Sequence, residues 1–115
     1  MTEPIAVKRG DVGIIFTDTL TADGEPIILS DCEVWFVLRP QRGDLLNEVT
    51  AEADVVDANE GTVRYVTVVG DLDVAGFYRQ EWEVVYTNGD RFTVPSDGYN
   101  VVHVVMDLNP EDDGS

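Results

Sequence analysis

The residues able to do chemistry are few and far apart in this chain. It has one cysteine, Cys32, and one histidine, His103. A thiol nucleophile needs a base beside it, and nothing in the sequence places His103 next to Cys32. A lone cysteine forms no internal disulfide, and free cysteine usually packs as a small apolar side chain. Cys32 is therefore expected to be buried or half-buried and inert. A single histidine without further His or Cys ligands makes a poor zinc site, so His103 is expected to be a surface or interface residue. Carboxylates are abundant, with Asp71 and Asp73 close together and Glu111, Asp112 and Asp113 near the C-terminus. The D-x-D-x-D-G spacing and distal Glu of a calcium loop are absent, so these acids are expected to be solvated surface groups. No Gly-rich phosphate loop, Ser–His–Asp set or zinc spacing occurs. At 115 residues there is little room for the cleft that paired-carboxylate glycoside hydrolysis requires. The expectation is a non-enzymatic chain with no cofactor and no metal.

The elements that carry these residues read as strands. In the run from Phe77 to Thr87, Tyr78, Gln80, Trp82, Val84 and Tyr86 alternate with Arg79, Glu81, Glu83 and Val85. Strand side chains point to opposite faces with period two, so one face is aromatic and aliphatic and the other mostly charged. Asn88-Gly89-Asp90 then turns the chain into Arg91–Val94, a hairpin signal. Further strands are expected over Asp11–Thr17, Glu33–Arg39, Val49–Val56, Thr62–Thr67 and Tyr99–Leu108, with an edge strand at Ile5–Val7. Asp23-Gly24 and Pro26 mark a turn. Residues 70–76 read as a loop with at most one helical turn. About eight short strands at roughly 8–12-residue spacing indicate an all-β fold, an antiparallel β-sandwich of about seven to nine strands. The organisation expected is an N-terminal arm or edge strand over residues 1–10, one sandwich domain over 11–108, and an acidic tail over 109–115.

Phe36, Tyr65, Tyr78, Trp82 and Val84 are the expected core. In Glu33–Arg39, Val34, Phe36 and Leu38 share the inner face, which turns Trp35, Val37 and Arg39 outward. Trp and Arg dominate interface hot spots, so Trp35 and Val37 are candidates for an apolar outer patch. Arg39, Arg64 and Arg79, at outward strand positions, are candidate partners for carboxylates. The competing expectation for Trp35 is that a loop of its own domain covers it. A glycan-binding module would need aromatics exposed in a row, and Trp82 is assigned inward.

Charge constrains the partners. The chain has 23 Asp and Glu against 7 Lys and Arg, a formal net charge of −16, and Lys8 is its single lysine. So negative a surface repels phosphate backbones and disfavours nucleic acid. It also repels itself in dilute salt, and that repulsion is largely screened at about 1 M salt, where the Debye length is about 3 Å. An ordinary core under an acidic, lysine-poor surface is what a protein adapted to high salt requires. No run of about 18 apolar residues occurs, so no membrane span is expected. Met1-Thr2-Glu3-Pro4 lacks the basic and apolar regions of a signal peptide.

Several stretches resemble a known family. DTLTADGEPIILSDCEVWFVL, VVDANEGTVRY and AGFYRQEWEVVYTNGDRFTVPSDGY are together similar to the N-terminal immunoglobulin-like domain of tailed-phage baseplate upper proteins. The matching positions are Asp23-Gly24, Pro26-Ile27, Leu29-Ser30, Asp57, Gly61, Tyr65, Gly76, Tyr78, Trp82, Gly89, Pro95 and Tyr99, within residues 10–105. Asp31-Cys32 and Trp35 depart from the Gly-Ala and small polar residues usual there. The resemblance implies an immunoglobulin-like sandwich in a virion, used for attachment to other virion proteins or to copies of itself. Taken with the charge, it implies a haloarchaeal tailed virus, with the protein assembled in a high-salt host cytoplasm.

Overall fold

A computed structural model describes residues 4–41, 47–95 and 99–106. Eleven strands form in chain order: β1 (Ile5–Lys8), β2 (Ile15–Thr19), β3 (Thr21–Ala22), β4 (Glu25–Pro26), β5 (Glu33–Pro40), β6 (Val49–Glu52), β7 (Asp54–Asp57), β8 (Thr62–Val66), β9 (Gly76–Val85), β10 (Arg91–Val94) and β11 (Asn100–Val105). There is no helix among the described residues, so no helix there is long and apolar enough to cross a membrane. The fold is all-β.

The large sheet runs β1-β11-β9-β5-β6, with β10 also paired to β9. Its spine is the antiparallel β5–β9 pair, in register from Glu33 opposite Val85 to Pro40 opposite Tyr78. The other edge of β9 is divided, with β11 taking Gly76–Gln80 and β10 taking Trp82–Val85. β1 adds to β11 in parallel, Ile5 opposite Val102 through Lys8 opposite Val105. The small sheet is β2-β8-β7. β3 and β4 form a separate hairpin whose two-residue loop is Asp23-Gly24, with φ of 54° and 81°. Positive φ at both central residues defines the Asp-Gly turn that matches strand twist.

The two sheets pack face to face in the manner of a β-sandwich. Phe36 of the large sheet stacks on Tyr65 of the small one at 4.4 Å between ring centres, tilts against Phe16 at 5.0 Å, and meets Trp82 edge-on at 5.5 Å. Val34, Leu38, Val63, Tyr78, Val84, Val102 and Val104 complete the buried layer, with Leu20, Leu29 and Leu72 supplied by connections. The Trp82 indole N–H donates to Asp18 at 3.1 Å. The inward Gln80 donates to the Glu81 carbonyl and accepts from Asn100, both at 3.0 Å. Buried polar groups satisfied in this way do not offset the apolar gain.

The strands differ from the expected ones in number and in bounds: eleven form where about seven to nine were expected, the turn around Asp23-Gly24 carries the β3–β4 hairpin, and β1 joins β11 in parallel rather than antiparallel. The run 49–56 is not one strand. It leaves the large sheet after Glu52 and enters the small sheet at Asp54, with the Ala53 amide still bonded to the Val34 carbonyl at 2.8 Å. Ala51, Ala53 and Val55 all pack on the core side, so the alternation passes unbroken through the change of sheet. The second strand starts at Ile15 rather than Asp11, because Gly13 takes a φ of 80° that ends regular pairing. The Gly13 amide and Ile14 carbonyl still bond to Thr67 at 2.9 Å each. The acidic tail 109–115 lies outside the described residues.

Candidate interface on the outer face of the large sheet

The chemically active residues do not converge. Cys32 immediately precedes the Glu33–Val85 end of the spine, whereas His103 pairs with Phe77 at the far end of β9. Eight strand residues separate those ends, about 26 Å. Burial, and then the neighbouring Asp31 carboxylate, push the Cys32 thiol above its ordinary range, which lowers its thiolate population. Asp71 caps its own loop, accepting from the Tyr65 hydroxyl at 2.6 Å and from the Val68 amide at 2.9 Å. Burial, and then that hydrogen bond and charge, push the Tyr65 hydroxyl well above the usual tyrosine range. Asp73 is exposed. No group of three or more His, Cys, Asp or Glu among the described residues could hold a metal, and Glu111, Asp112 and Asp113 lie outside them.

An opening of about 340 Å³ lies at one end of the spine, lined by Asp31, Glu33, Val85, Tyr86, Thr87 and Gly89. Another, about 560 Å³, follows the free edge of β1, where Ile5, Val7, Ile14 and Val105 give it an apolar lining. Neither brings Cys32 and His103 together.

The outer face of the large sheet gathers the remaining candidates. β5 presents Glu33, Trp35, Val37 and Arg39 there. Their partners on β9 are Val85, Glu83, Glu81 and Arg79, and those on β6 include Glu52 beside Trp35 and Thr50 beside Val37. Trp35 is half-buried and Arg39 and Arg79 are exposed. Val37 is 9% exposed, which corrects the expectation of an open apolar position. A short valine between Trp35, Arg39, Glu81 and Thr50 is covered by the stems of its longer neighbours.

Arg39 and Arg79 sit directly opposite each other, a pairing that repels. Arg39 is partly offset by Glu48 at 3.5 Å. The Arg79 guanidinium lies 5.7 Å from the centre of the Tyr99 ring, within cation–π range. At the other end of the face Glu83 takes a 3.3 Å hydrogen bond from Arg91.

Two further aromatic residues belong to this face. Phe77, 43% exposed, stacks on His103 at 4.0 Å and 12°, and Tyr99, 45% exposed, lies under Arg79. Phe77 shares the outward parity of Arg79, so its direction was readable. Its pairing with His103 depends on the β9–β11 register, which no local pattern encodes.

Arg64 is not part of this face. It lies on β8 in the small sheet, between Thr17 and Asp54, 3.9 Å from the Asp54 carboxylate. The outer face of that sheet exposes its own apolar pair, Ile15 opposite Val66. No family model matches the chain, and no curated protein matches it either.

Proposed function

We propose that this chain is a non-enzymatic structural component of a tailed virus particle, an immunoglobulin-like module that attaches virion proteins through the outer face of its large sheet. The observation that carries the attachment reading is the composition of that face. Trp35, Phe77, His103 and Tyr99 share it with the opposed arginines Arg39 and Arg79, on a chain with only seven cations. Aromatics and arginine are the residue types that dominate interface energetics. An antiparallel sheet with one solvated face ordinarily turns polar side chains to water. The virion setting rests on the resemblance of the Asp23-Gly24 to Tyr99 motif positions to the baseplate domain.

In this reading the core side of the sandwich holds the domain rigid. Affinity comes from apolar burial around Trp35 and Phe77 and from close carboxylate contacts to Arg39 and Arg79. Long-range steering contributes little at molar salt, where charges are screened within about 3 Å. Incorporation into particles tests the proposal. Trp35→Ala and Arg79→Glu variants that still fold are expected to be under-represented in purified particles relative to wild type. Normal occupancy of both would remove this face from the attachment mechanism. If retention of the chain on immobilised host glycans is instead lost with Phe77→Ala and Tyr99→Ala, a sugar-binding module replaces it.

A further inference from the structure

The free edge of β1 carries backbone groups that its own sheet does not use. β1 ends the large sheet, and among the described residues no strand lies beyond it. The Arg9 amide donates to the Val105 carbonyl at 2.8 Å, so by strand alternation Ile5, Val7 and Arg9 turn their N–H and C=O groups toward β11. Pro4, Ala6 and Lys8 turn theirs to the open side, and all three are exposed. These three positions are not equivalent. Pro4 has a carbonyl and no N–H. Ala6 offers both groups. Lys8 offers its N–H alone, because its carbonyl already accepts from the Asp11 amide at 3.2 Å.

We infer that β1 pairs with β1 of a second copy, antiparallel and in register about Ala6, so that the two large sheets continue as one. A two-fold axis normal to the sheet passes between the two Ala6 residues, an isologous strand addition. The two Ala6 residues exchange both hydrogen bonds, and the Lys8 amide of each chain donates to the Pro4 carbonyl of the other. The N–H that Pro4 lacks falls opposite the Lys8 carbonyl, which Asp11 has already satisfied. Sliding the strands by two residues in either direction loses this match. Lys8 opposite Ala6 would aim the Ala6 amide at the occupied carbonyl. Ala6 opposite Pro4 would leave the Ala6 carbonyl without a donor. The edge therefore calls for a strand with its own donor and acceptor pattern reversed, and β1 is that strand.

The side chains agree with this register. On the inner side Ile5 opposes Val7 of the other copy. Ile5 is 40% exposed, and with Val7 and Ile14 it lines the groove of about 560 Å³ along this edge, so pairing covers an apolar wall. On the outer side two alanines meet at the axis and Lys8 lies across from Pro4, so no like charges are opposed. Residues 4–10 contain no acid and two of the seven cations, Lys8 and Arg9. A chain of net charge −16 thus meets its copy without opposed carboxylates in the paired strands. The contact is short and below the size of a stable interface. The dimer is weak, and it strengthens as salt screens the net charge.

Sedimentation velocity of the full chain in about 2 M KCl tests the pairing. Wild type is expected to pass from monomer to dimer as concentration rises. Ala6→Pro removes the central donor and leaves the β1–β11 bonds, because proline is tolerated on an edge strand where the lost N–H faces solvent. It should melt as a folded protein and associate about tenfold or more weakly. Register is read by cysteine cross-linking in a Cys32→Ser background. Ala6 lies about 5.5 Å from its counterpart, within disulfide reach, whereas Lys8 lies about 14 Å from its own. Mild oxidation should give covalent dimer from Ala6→Cys and none from Lys8→Cys. A wild type monomeric at every concentration, or Ala6→Pro dimerising as wild type does, overturns the pairing. Cross-linking no better at position 6 than at position 8 overturns it as well. A monomeric wild type whose Ala6→Pro variant is lost from particles also overturns it and assigns the edge to a strand of another protein. Trp35→Ala should leave this dimer intact, so failure of the edge and failure of the attachment face are read separately.

Discussion

Tyr65 and Asp71 show how individual residues hold the frame under the face. The Tyr65 ring stacks on Phe36 in the core, and its hydroxyl donates to Asp71, which also accepts the Val68 amide. One side chain thus ties the core to the loop before β9. Burial and the Asp71 carboxylate both oppose ionisation of Tyr65 and push its pKa above the usual tyrosine value. An acid whose folded pKa is raised holds its proton more tightly when folded. Its contribution is complete below the unfolded pKa of about 10 and is lost as pH climbs from there toward the folded value. Tyr65→Phe should lower stability by about 1–2 kcal/mol at neutral pH. It should also flatten part of the alkaline loss above about pH 10. Denaturant melts of both proteins across that range check the sign, and an unchanged alkaline slope would contradict it.

At the scale of elements, the turns set strand placement as firmly as the apolar pattern does. Gly61 has a φ of 72°, and a Cβ there would sit 2.6 Å from the Leu20 carbonyl oxygen and 2.9 Å from that of Ile27. Both atoms are backbone, so no rotamer change relieves the clash. Gly61→Ala is expected to cost more than about 2 kcal/mol, adding the clash to the left-handed strain. Gly24→Ala, at φ 81° in open space, should cost only the conformational strain of about 1–2 kcal/mol. Equal losses in urea melts would contradict this assignment. β5 and β9 were legible from the residues because period-two alternation assigns each side chain to a face. Val34, Phe36, Leu38, Tyr78, Trp82 and Val84 are all buried on the inner one. The break between β6 and β7 was not legible, because the same alternation runs through it. The separation of Arg64 from Arg39 and Arg79 was equally hidden, since period two fixes a face of a strand and not the sheet that receives it. The burial of Val37 and the Phe77–His103 stack arise from cross-strand neighbours, which local sequence does not name.

The whole molecule combines a packed two-sheet core with a net charge of −16. Self-repulsion at that charge weakens the compact state in dilute salt, and screening restores it. The melting temperature should rise by about 10 °C or more between roughly 0.1 and 2 M KCl. A flat profile would remove the high-salt setting. The proposed attachment covers the outer face of the large sheet on assembly. Hydroxyl-radical footprinting of the free chain and of the chain within particles that carry it tests this most directly. Trp35, Phe77 and Tyr99 are expected to be protected in the particle, with Ile15 and Val66 on the small sheet as reactive as in the free chain. Protection of Ile15 and Val66 with Trp35, Phe77 and Tyr99 unchanged would contradict it.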